Sequence, residues 1–118
     1  MAELQWCMLT EGLRGEVMIY IVVSVRVKPG KLSEFLALFG SVAPVVRREK
    51  GCLQYVAATD FDSGLPLQVL DKDVVTILEK WESPEALRNH LATPHMAEYF
   101  KKQKGLTEGS SIKILTEA

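Results

Sequence analysis

Histidine and cysteine are both scarce in this chain, with two of each in 118 residues. Cys7 and Cys52 lie far apart and stand in no CxxC or Cys/His spacing. That argues against a dithiol redox motif and against a thiolate zinc site. Unpaired thiols of this kind point to a reduced, cytoplasmic setting. No metal-ligand pattern surrounds either histidine, so no metal is expected.

Long hydrophobic runs are missing too. The longest, Ile19 to Val25, is broken by Ser24 and followed by Arg26. It is too short to cross a bilayer. No secretory signal is read at the N-terminus, where Glu3 is acidic and the apolar stretch is short. An excess of charge is also absent: the net charge is −1. Neither nucleic acid nor an anionic membrane is therefore expected as a partner. The basic run Lys101-Lys102-Gln103-Lys104 reads as a solvated helix end. No internal repeat or low-complexity segment is present.

What remains is an ordinary globular composition, 47% hydrophobic and 25% charged, enough for one domain with a modest core. Residues 1–17 show no clean period and read as an N-terminal extension. The domain is expected over residues 18–116. A β-branched strand runs from Ile19 to Lys28 and ends at Pro29-Gly30. Leu32, Phe35, Leu36, Phe39, Val42, Ala43 and Val46 then make one apolar stripe at helical spacing. Pro44 is expected to bend this helix near Gly40-Ser41. The helix should end around Arg48, with Gly51 as its C-cap.

Cys52 to Asp60 reads as a second strand and Val74 to Trp81 as a third. Both faces of the third are largely apolar, which implies a sheet covered on both sides. Ser83-Pro84-Glu85 is a helix start with an N-cap and Pro at the first position. Thr93-Pro94 repeats that signal, so the helix breaks and restarts. Leu87, His90 and Leu91 share one face of the first piece; Met96, Tyr99 and Phe100 form the inner face of the second. Ile112 to Ile114 make a last short strand.

The order β-α-β-β-α-β is the α+β, ferredoxin-like arrangement. One helix layer covers one sheet face. The other face needs a cover, and a second copy of the chain is expected there. Both histidines lie in His90-Leu91-Ala92-Thr93-Pro94-His95, which is where chemistry near neutral pH would sit.

Four stretches carry a resemblance: Val27-Lys28-Pro29-Gly30-Lys31, Glu49 to Tyr55, Glu79-Lys80-Trp81-Glu82-Ser83, and His90 to Met96. In order and spacing they resemble the antibiotic biosynthesis monooxygenase family of dimeric α/β barrels. The quinol monooxygenase branch, with its long loop matching Phe61 to Lys72, is the nearest in look. The resemblance implies homodimers with sheets packed face to face, and a pocket between sheet and helices. It implies oxygenation of quinols or electron-rich phenols by O₂, often without flavin, haem or metal, so no cofactor is expected. Such chemistry needs a dry pocket and one general base. His90 is the candidate base and His95 a candidate assistant. Glu79, if buried, is a second candidate base. Trp81, Tyr55, Tyr99 and Phe100 are the candidate aromatic wall for a flat ring.

Plainer readings stand beside these. His90 also reads as a hydrogen-bonded core histidine, His95 as a contact at a helix start, Trp81 as core, Tyr55 as an interface residue and Glu79 as a paired charge. Haem-degrading relatives carry a tryptophan where His90 stands and an iron-ligating histidine where Phe100 stands, so haem degradation is not expected. Two other functions fit the resemblance. One is isomerisation of a small phosphorylated signal molecule, with Arg26 as the candidate cation. The other is a non-catalytic dimeric ligand-binding or stress protein.

Overall fold

The computed structural model describes residues 17–118. The proposed extension at residues 1–17 lies outside the described residues except for Val17, which packs against the core. Four strands, β1 (Ile19–Val27), β2 (Cys52–Ala58), β3 (Val74–Trp81) and β4 (Thr107–Leu115), alternate with helices α1 (Leu32–Arg47), α2 (Pro84–Leu91) and α3 (Pro94–Gln103). The sheet is antiparallel throughout, in the order β2-β3-β1-β4. This is the ferredoxin-like α+β fold read from the pattern.

Strand alternation sorts the side chains. Ile19, Ile21, Val25 and Val27 of β1, and Val75, Ile77 and Trp81 of β3, are buried beneath the helices. α1 answers with Phe35, Phe39, Val42, Ala43 and Val46. Leu36, expected in that stripe, is 36% exposed because it lies at the edge of the buried arc. The helix continues through Pro44 and ends at Arg47. Gly51 is therefore not its C-cap. Its φ of +86° serves the turn into β2 instead.

The two expected helix starts are present as read. Ser83 Oγ accepts from Ala86 N at 3.1 Å and Thr93 Oγ1 accepts from Met96 N at 3.4 Å. β4 is longer than the pattern around Ile112 suggested. Its polar first half, Thr107 to Ser111, is recruited by pairing with β1 rather than by burial. As an edge strand it leaves Ile112 and Ile114 each 57% exposed.

On the face away from the helices, Val22, Leu78 and Val56 sit side by side across β1, β3 and β2. Arg26 also belongs to that face, and its guanidinium pairs with Asp71 at 2.7 Å, tying down the long β2–β3 loop. This corrects the reading of Arg26 as an inward phosphate-binding cation: an even position on β1 points away from the helices.

Candidate active site

A cavity of about 170 Å³ lies between the sheet and helices α2 and α3. Val23, Val25, Ile77, Met96 and Ile112 give it an apolar lining; Tyr55, His90 and Tyr99 are its buried polar groups, with the Glu79 side chain beside them at 9% exposure. Amphipathic spacing on α2 turns His90 inward, where it is 1% exposed.

His90 is held on three sides. Its ring lies on the indole of Trp81, centroids 4.5 Å apart, and meets Tyr55 edge-on at 5.6 Å. Its Nδ1 is 2.9 Å from Glu49 Oε2. The same oxygen stands 2.8 Å from His95 Nε2. A carboxylate only accepts hydrogen bonds, so with Glu49 ionised both rings donate to it. In the neutral imidazole, that assignment leaves His90 Nε2 as the nitrogen free to accept a proton. The arrangement is that of an imidazole oriented by an acid, as in hydrolase triads.

Glu79 closes the other side. Its Oε1 accepts from Trp81 Nε1 at 2.9 Å and lies 3.9 Å from His90 Nε2, too long for a hydrogen bond. Burial raises the Glu79 pKa; the Trp81 hydrogen bond and the nearby His90 act against that rise. Tyr55 and Tyr99 are pushed above the ordinary phenol range, chiefly by burial. Both are donors at neutral pH rather than bases.

Local structure explains how Glu49 arrives. The α1–β2 turn packs so closely on α2 that a Cβ on Gly51 would stand 2.6 Å from Ala86 Cβ. Only glycine permits that approach at φ +86°. At the other end, Thr93 Oγ1 donates to His90 O at 2.8 Å, fixing α3 and its His95 against α2.

Of the residues singled out from sequence, His90, Glu79, Tyr55, Tyr99 and Phe100 come together at the cavity. Trp81 does not line it. It is fully buried behind His90, because the last inward position of β3 lies under α2. His95 is also set back, on the far side of Glu49, where it borders an outer depression between α1 and α3. Glu49 was missed as a site residue. Its signal was a single acid amid Arg47, Arg48 and Lys50, just before a turn glycine. Among the described residues no group of three or more His, Cys, Asp or Glu side chains could hold a metal.

The antibiotic biosynthesis monooxygenase family model matches residues 18–102. The chain belongs to this family of enzymes. It is 33% identical over 100 residues to the Escherichia coli (strain K12) protein named "Probable quinol monooxygenase YgiN", covering 83% of this chain and 96% of that one. The solved structure of SO0527 from Shewanella oneidensis superposes with a TM-score of 0.75 at 26% identity, covering 86% of this chain and 92% of that one. SnoaB, a cofactor-independent oxygenase from Streptomyces nogalater, shares the fold at 18% identity, with a TM-score of 0.70 and coverage of 85% and 92%. The family match ends at Lys102, before β4, although the sheet continues to Leu115. No helix among the described residues is long and apolar enough to cross a membrane.

Proposed function

We propose that the protein oxidises a quinol, or a related electron-rich aromatic, with O₂ in the cavity beside His90. The observation that carries this reading is an imidazole held by Glu49 at the wall of an apolar cavity. His90 Nε2 takes the proton of a quinol hydroxyl, and Glu49 stabilises the imidazolium that forms. The quinolate is a stronger reductant than the neutral quinol and passes electrons to O₂.

The electron count closes without an outside reductant. The ring gains one oxygen atom, loses two hydrogens and ends as a hydroxyquinone. The other oxygen atom leaves as water with those two hydrogens, one of them returned by His90. The ring gives up four electrons and O₂ accepts four. On this reading no flavin, haem or metal is required, and the working form is a homodimer joined through the open sheet face.

The test is O₂ uptake with a hydroquinone, measured above autoxidation, with isotopically labelled O₂ to follow the inserted atom. His90→Ala and His90→Gln are expected to lose at least about 10²-fold in rate. A wild type that never exceeds autoxidation, or full activity in both variants, would overturn the proposal.

A further inference from the structure

One donor at the cavity has no acceptor. Tyr99 is 4% exposed, and its hydroxyl is buried without a hydrogen-bond partner among the described residues. Buried polar groups are nearly always paired, so an orphan of this kind asks what pairs with it. The Tyr99 ring separates two spaces, the reaction cavity and the outer depression that His95 borders. The cavity is the side that holds the other buried polar side chains, Tyr55 and His90. The Glu79 carboxylate, which acts on the Tyr99 phenol, lines the cavity and not the depression. Burial and Glu79 keep the phenol protonated, which leaves it a donor.

We infer that the Tyr99 hydroxyl donates a hydrogen bond to a second oxygen of the bound ring, one besides the oxygen that His90 deprotonates. Tyr99 is then a specificity-determining residue: the cavity selects rings with two oxygens over rings with one. The inference rests on the proposed reading of this cavity as the quinol site. The chemistry favours it. A ring hydroxyl accepts modestly through its lone pairs, and the carbonyl it becomes on oxidation accepts more strongly. The bond therefore strengthens as the reaction proceeds, which is the direction that aids catalysis. Sites that bury an unpaired donor discriminate strongly against ligands lacking the matching group.

The experiment is anaerobic binding, so that no turnover occurs. Naphthohydroquinone and naphthol are each titrated into wild type and Tyr99→Phe, which keeps the ring and its contact with Phe100. Tyr99→Phe is expected to bind the diol about tenfold more weakly and naphthol within about twofold of wild type. The melting temperature of ligand-free Tyr99→Phe should equal or exceed that of wild type, because an orphan donor is removed. Equal weakening for both rings, a lower melting temperature without ligand, or a wild type that binds neither ring would overturn the inference. Because O₂ is absent, a loss of diol preference in Tyr99→Phe supports it even where aerobic uptake fails. Unchanged diol binding with aerobic uptake intact removes this inference and leaves the proposed function standing.

Discussion

Glu49 Oε2 lies 2.9 Å from Nδ1 of His90, across 41 positions of sequence. Glu49 does not line the cavity, so its part is to orient the imidazole and to offset its charge. Glu49→Gln keeps the size and removes the charge. Its carbonyl oxygen can still accept from both rings, as Oε2 does, so the change isolates the charge that offsets the imidazolium. kcat is expected to fall by about 10²–10⁴ with KM nearly unchanged. Steady-state O₂ uptake measures both, and a loss confined to KM would contradict this role.

Glu79 sets a pH dependence of stability. Its ordinary pKa is 4.5 and burial raises it in the folded protein. The folded state therefore binds this proton more tightly than the unfolded state. Its contribution is fully present below about 4.5 and is lost as pH rises through the raised folded value. Glu79→Gln keeps an acceptor for Trp81 Nε1 and cannot ionise. The variant should melt higher than wild type at neutral pH, with the gain shrinking toward pH of about 4. Calorimetry across that range checks the sign, and a variant less stable at neutral pH would contradict it.

Gly51→Ala should damage fold and site together. The new Cβ would stand 2.6 Å from Ala86 Cβ and 2.9 Å from Glu82 Cγ, at a φ of +86°. A cost of about 1–3 kcal/mol is expected. In a domain of this size that lowers the melting temperature by several degrees. The turn must also move, carrying Glu49 away from His90, so kcat should fall as well. Thermal melts and O₂ uptake on one preparation test both, and an unshifted melt would show that the turn relaxes without strain.

Leu78→Glu probes the open sheet face. Leu78 pairs with Val22 on one side and Val56 on the other. A dimer through this face should bury about 1,200–2,000 Å² in total, and an unpaired carboxylate at its centre would be desolvated at high cost. Sedimentation is expected to show a dimer for wild type and a monomer for Leu78→Glu. Identical sedimentation of the two would place any interface elsewhere.

Much of this protein was legible from short-range chemistry. The bounds of β3, the caps at Ser83 and Thr93, and the inward turn of His90 follow from alternation, helical spacing and side-chain capping within a few residues. Those patterns act locally, so a sequence displays them directly. The polar half of β4 was not legible, because pairing with β1 and not burial makes it a strand.

The site shows the same division. The sequence by itself determined that both histidines sit on one broken helix, next to inward aromatic residues. Only the tertiary structure decided that Glu49 joins His90 to His95, that Trp81 lies behind the imidazole, that Arg26 pairs with Asp71 on the opposite face, and that the Tyr99 hydroxyl is left unpaired. Each of these depends on residues far apart in the chain, whose distances are set by how the α1–β2 turn and the two short helices pack on the sheet. Periodicity gives the direction of a side chain from its own element, but the partner it meets is a property of the packing.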